Sequence, residues 1–103
     1  MGAAERRRDS RVPYFTEAWL EGLDVSRVPC RVADLSVGGA FVDARTTLPA
    51  GTRVRMRFLL GDREIVTVAE VRYASPGIGM GLQFVNLSDQ DRGWIGSVVN
   101  NQR

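Results

Sequence analysis

Histidine and lysine are absent from this chain, and cysteine occurs once among its 103 residues. Without histidine there is no imidazole general base, no histidine-containing catalytic triad and no His-ligated metal. Cys30 alone can neither close an internal disulfide nor build a zinc site. No apolar run approaches the roughly 18 residues that a membrane-spanning helix requires, so no membrane insertion is expected. The opening Met-Gly-Ala-Ala-Glu-Arg-Arg-Arg is followed by no apolar stretch. No secretory signal is therefore read there, and a cytoplasmic location is expected. Acids are plentiful, yet no pair is marked as a catalytic dyad. The chain is expected to be no enzyme and to carry no cofactor and no metal.

What is present suits one globular domain with a single core: 44% of residues are hydrophobic and 25% charged. All 14 basic residues are arginine, against 12 acids, for a net charge of +2. That excess is local. Residues 1–11 hold Arg6, Arg7, Arg8 and Arg11 against Glu5 and Asp9, while the remainder is balanced. Residues 1–11 also lack apolar periodicity, so they are expected to form a flexible basic arm. Val12-Pro13 opens the folded part, residues 12–103, because proline pushes its predecessor into an extended conformation.

From there to about residue 86 the sequence reads as short strands. Tyr14–Leu23 and Val28–Asp34 are joined through Gly22-Leu23-Asp24. Ala40-Phe41-Val42 follows Gly38-Gly39, and Pro49-Ala50-Gly51 is a turn. Arg53-Val54-Arg55-Met56-Arg57-Phe58 alternates strictly, which buries Val54, Met56 and Phe58 and exposes three arginines. Gly61-Asp62 carries the type II′ hairpin signal into a long strand ending near Tyr73. Gly79–Val85 alternates again, with Met80, Leu82 and Phe84 on one side. Period then changes: Trp94, Ile95, Val98 and Val99 lie at helical spacing, behind Ser88 and Asp91 as a capping-box variant. The expected fold class is all-β with a C-terminal helix at about 88–101, the six strands forming a small antiparallel barrel.

Two short motifs carry chemistry. In Arg6-Arg7-Arg8-Asp9-Ser10-Arg11, two arginines four residues apart on an arm can close on a polyanion. Their guanidinium forks bind phosphate or the guanine O6/N7 edge bidentately. In Asp34-Leu35-Ser36-Val37-Gly38-Gly39, a carboxylate beside a hydroxyl can accept the N1 and N2 donors that guanine alone presents together. Gly39 would allow close approach of backbone to a ligand. Each motif taken alone also reads plainly, the first as a solvated basic tail and the second as an Asx or Ser turn with glycine supplying positive φ.

Taken together and in this order, the motifs resemble those of the PilZ domain family of bacterial cyclic di-GMP receptors. Arg7 and Arg11 match its R-x-x-x-R, and Asp34, Ser36 and Gly39 match its [D/N]-x-S-x-x-G. Gly81-Leu82-Gln83-Phe84 is similar to its final barrel strand. The resemblance implies a six-stranded antiparallel barrel and a cyclic di-GMP site drawn from Arg6, Arg7, Arg8, Arg11, Asp34, Ser36, Gly38 and Gly39. Arg6, just before the motif, could meet a second stacked nucleotide, for an expected ratio of two per chain. A lone domain of this kind would act on an effector protein that the sequence does not identify, in motility, pilus or exopolysaccharide control.

Two other readings stay open: a PilZ-like interaction module that binds no nucleotide, and a small RNA-binding barrel. The second would need basic residues and aromatics spread over a barrel face. Here the excess charge lies in the arm, so no DNA or RNA partner is expected. Cys30 reads as a small core residue, Trp19 and Trp94 as core and helix-docking residues, and Gly77, Gly79 and Gly81 as turn and strand glycines. Arg72 could reach a ligand edge, which the sequence does not decide.

Overall fold

The computed structural model describes residues 11–22 and 25–101. Six strands follow one another: β1 (Val12–Gly22), β2 (Val25–Leu35), β3 (Gly39–Asp43), β4 (Arg53–Leu60), β5 (Arg63–Ser75) and β6 (Gly79–Val85). They close into a barrel in the order β1-β2-β3-β6-β5-β4, with every neighbouring pair antiparallel. One helix, α1 (Asp89–Asn101), follows β6. Among the described residues closure gives every strand a partner on both sides, so no whole strand stands as an open edge.

Alternation explains most of the interior. Val54, Met56 and Phe58 of β4 are buried, as are Met80, Leu82 and Phe84 of β6. Phe58 and Phe84 meet inside the barrel with near-parallel rings 6.1 Å apart. The turns also follow their sequence signals. Gly61 has φ 65° while Asp62 does not share that region, as a type II′ hairpin requires. Gly51 has φ 93° at the third position of a turn closed by Thr52 N donating to the Pro49 carbonyl at 3.1 Å.

Several boundaries differ from the sequence reading. β1 begins at Val12, which is buried, and β2 extends from Val25 to Leu35. Trp19 is not a core residue. Its neighbours Ala18 and Leu20 point inward, so its ring faces out, where the Arg27 guanidinium lies 5.2 Å from its centroid. Cys30 is only half-buried, packed against the core from the rim.

Helix α1 docks beside the β4–β5 hairpin. Ile95 and Val99 are buried, and Trp94 Nε1 donates to the Leu60 carbonyl at 2.8 Å. The capping box is only half formed. Ser88 Oγ accepts from Asp91 N at 3.1 Å, but the Asp91 carboxylate turns to Arg63 at 3.0 Å instead of back to the cap.

Candidate functional site

The site residues are aimed by two irregularities in the sheet. Val28 and Val32 of β2 face the core. Strict alternation would carry Asp34 inward as well. A bulge intervenes: Val32 pairs with Val42, but Asp34 pairs with Phe41, so Ala33 is an extra residue. That single insertion turns Asp34 outward and returns Leu35 to the core, opposite Ala40. On β5 the same device recurs. Ile65, Ala69 and Val71 face in, and Arg72 is the extra residue between the pairs Val71–Leu82 and Tyr73–Gly81. Tyr73 is thereby turned outward and is 50% exposed.

One register row on the barrel exterior therefore runs Pro13, Asp34, Phe41, Gly81, Tyr73, across β1, β2, β3, β6 and β5. Asp34 is its charged member. Its Oδ1 accepts from the Arg11 guanidinium at 2.9 Å and from the Phe41 backbone N–H at 3.3 Å. Among the described residues both hydrogen bonds of this carboxylate are made through Oδ1. Arg11 and Asp34 are 42% and 35% exposed, which leaves the pair open to solvent.

The turn after Asp34 is built by Ser36. Its hydroxyl accepts from Gly39 N–H at 3.1 Å and lies 3.2 Å from the Gly39 carbonyl, to which it donates. The Ser36 N–H also reaches that carbonyl, at 2.8 Å. Ser36 is 3% exposed. The expected hydroxyl facing a ligand is thus spent inside the turn, holding the shape that presents Asp34. A Cβ placed on Gly96 of α1 would stand 3.9 Å from Val37 Cγ2, so this turn lies next to the helix.

Glycine at 39 has a different cause from either reading made on sequence. Its φ is not positive. A Cβ there would stand 2.0 Å from the Leu82 carbonyl oxygen of β6. Glycine is needed because two backbones meet where the barrel closes. Gly38 is exposed and a Cβ on it would meet nothing within 4 Å, while its carbonyl accepts from Phe84 N–H at 2.9 Å.

Of the eight residues expected to form a site, the structure brings Arg11, Asp34, Ser36, Gly38 and Gly39 together. Arg6, Arg7 and Arg8 lie outside the described residues. Sequence reasoning passed over Phe41, Tyr73 and Gln83. Phe41 and Tyr73 form a near-parallel pair 6.2 Å apart, and Arg72 Nη1 donates to Gln83 Oε1 beside them. The glycines at 79 and 81, alternating on the outer face of β6, were the available signal, because they leave room for rings above the strand.

Comparison with known proteins adds the following. A model of the PilZ domain family matches residues 5–101. The PilZ domain of YcgR from Escherichia coli, solved with c-di-GMP, superposes with TM-score 0.75 at 19% identity, over 94% of this chain and 91% of that one. The PilZ domain of CeSA, from a cellulose-synthesizing bacterium, gives TM-score 0.69 at 24% identity, over 89% and 96%. The Bacillus subtilis inhibitor of motility MotI gives 0.79 at 19% identity over 93% of this chain, which spans 50% of that protein. At these identities the structural likeness is one of fold. No curated protein matches the sequence significantly.

Proposed function

The chain belongs to the PilZ domain family, and on that premise we propose that it is a receptor for cyclic di-GMP with no catalysis of its own. The observation that carries this reading is the 2.9 Å contact between Arg11 and Asp34, the facing ends of two motifs 23 residues apart. A guanidinium beside an outward carboxylate offers one group for phosphate or the guanine O6/N7 edge and one for the guanine N1/N2 donors. Asp34 accepts the guanine donors through its carboxylate. Ser36, Gly38 and Gly39 hold the turn that keeps it there. Arg6, Arg7, Arg8 and Arg11 surround the phosphates. The likeness to the YcgR domain solved with c-di-GMP supports the choice of ligand. The liganded protein then acts in the cytoplasm on an effector protein.

Calorimetric titration with cyclic di-GMP and, separately, cyclic di-AMP tests this. Saturable binding of the guanine ligand is expected, at two per chain, with far weaker binding of the adenine one. Adenine lacks the paired N1–H and N2–H donors, and a carboxylate left unpaired in a polar site is penalised. Absence of cyclic di-GMP binding, or equal affinity for both, refutes the reading.

A further inference from the structure

The outer face of β1, β4 and β5 carries apolar side chains that the core does not use. These three strands are consecutive around the barrel. On β5 the usual alternation is inverted. Thr67 faces in, its hydroxyl 3.4 Å from the Val85 carbonyl, while Val66 and Val68 are exposed. Leu59 of β4 is 52% exposed on the same face, and Phe15 of β1 is 70% exposed. Leu59 and Val66 are diagonal neighbours, since Leu59 pairs with Glu64 and Arg57 with Val66. Trp19 of β1 completes the row Trp19, Arg57, Val66. Single exposed hydrophobics are ordinary, whereas neighbouring ones rimmed by charge mark a contact surface.

The charges on this face are sorted by strand. Glu17 and Glu21 point outward on β1, Arg53, Arg55 and Arg57 on β4, and Glu64 and Glu70 on β5. A basic strand thus lies between two acidic ones. Arg53 and Arg57 are engaged by β5 acids, Glu70 at 3.2 Å and Glu64 at 3.1 Å. Among the described residues Arg55 makes no ion pair. It shares its row with Glu21 and Val68, and Glu21 is held only at 3.6 Å by the exposed Arg27. That row lines a hollow of about 370 Å³, formed by Glu21, Gly22, Arg53, Val54, Arg55 and Val68. The near balance of acids and arginines gives no hold on a strongly charged partner. Their sorting by strand suits a second copy of this chain. Offset by one strand, the basic strand of each copy covers an acidic strand of the other.

We propose that the outer face of β1, β4 and β5 is the contact surface of a homodimer, with the two-fold axis running along the strands between β1 and β4. In that arrangement each residue of β4 lies over the register partner of its counterpart. Arg55 of each copy reaches Glu21 of the other, so the ion pair is made twice, as an isologous interface requires. Trp19 and Arg57 face each other across the axis in the same reciprocal way, a cation–π arrangement. Leu59, Val66 and Val68 flank these rows and supply the apolar area removed from water. The proposal goes beyond the receptor reading and stands whether or not the chain binds nucleotide.

Sedimentation equilibrium of the wild type, Arg55→Glu, Glu21→Arg and an equimolar mixture of the two variants is the experiment, alongside their melting temperatures. The wild-type mass is expected to rise from the 11.4 kDa of one chain towards twice that value over roughly 1 μM to 1 mM, the range of a small interface. Each variant alone places like charges opposite each other at both symmetric contacts. Its association should be at least about tenfold weaker. In the mixture opposite charges face each other again at both contacts, so dimers should return. A folding defect in either variant could not produce that recovery. A wild type that stays monomeric throughout overturns the proposal and leaves the face to a different protein. Wild-type dimerisation in either single variant, or a mixture of two folded variants that stays monomeric, overturns it as well. The wild-type measurement decides even where a variant fails to fold.

Discussion

Replacement of Gly39 by alanine separates a binding motif from a folding requirement. The new Cβ would lie 2.0 Å from Leu82 O and 3.1 Å from both Leu82 C and Gln83 Cα. All three are backbone atoms of the strand paired with β3, so no side-chain rotation relieves the clash. Ordinary contacts between heavy atoms need about 3.5 Å, so β3 and β6 must part locally by about 1–1.5 Å. Hydrogen bonds of 2.8 and 2.9 Å flank this point, from Ser36 N to Gly39 O and from Phe84 N to Gly38 O. Losing both costs about 2 kcal/mol net, and overpacking adds about 1–3 kcal/mol. The sum, about 3–5 kcal/mol, is a large share of the roughly 5–15 kcal/mol that keeps a domain folded. At about 4–8 °C per kcal/mol for a domain of this size, Gly39→Ala should melt at least about 12 °C below wild type. Gly38→Ala is the control: no atom lies within 4 Å of its Cβ, so its melting temperature should stay within about 4 °C. Thermal and urea denaturation followed by far-ultraviolet circular dichroism reads both. A Gly39→Ala variant that melts within a few degrees of wild type refutes the argument that glycine serves barrel closure. If the argument holds, lost ligand binding in that variant reports the fold and not a missing ligand contact.

The exposed Arg11–Asp34 pair should contribute less than about 1 kcal/mol to stability. Arg11→Ala is therefore expected to leave the melting temperature nearly unchanged while weakening cyclic di-GMP binding about tenfold or more, since a bidentate arginine contact is worth about 1–3 kcal/mol. Unaltered affinity would sink its role as a ligand contact. At the rim of the barrel, burial and, to a smaller degree, the Asp43 carboxylate push the Cys30 thiol up to about 12. At pH 8 it should be alkylated by iodoacetamide at least about 100-fold more slowly than a free cysteine, because the thiolate is the nucleophile. A rate equal to that of free cysteine counts against the burial. The same shift should lower stability as pH rises from about 9 towards 12, where the unfolded thiol ionises and the folded one does not.

The sequence by itself determined the class of fold, the number of strands, the inward set of β4 and β6, and the helix. Each is written in local periodicity and turn chemistry: Val54, Met56 and Phe58 alternate whatever surrounds them, and Gly61-Asp62 can turn only one way. It also carried the two short motifs, because they are runs of particular side chains at fixed spacing. Three things were decided by the tertiary structure alone. Which face Asp34 and Tyr73 occupy depends on one extra residue in each strand, and a bulge leaves no mark in periodicity until pairing partners are known. The meaning of Gly39 and Gly81 depends on what lies opposite them, Leu82 O in one case and the Tyr73 ring in the other. The neighbourhood of Phe41 and Tyr73, 32 positions apart by number, exists because β6 inserts between β3 and β5 in the barrel order. Periodicity along a chain records how each residue faces its own strand. What a residue meets across the sheet is set by register, and register is fixed only when all six strands close.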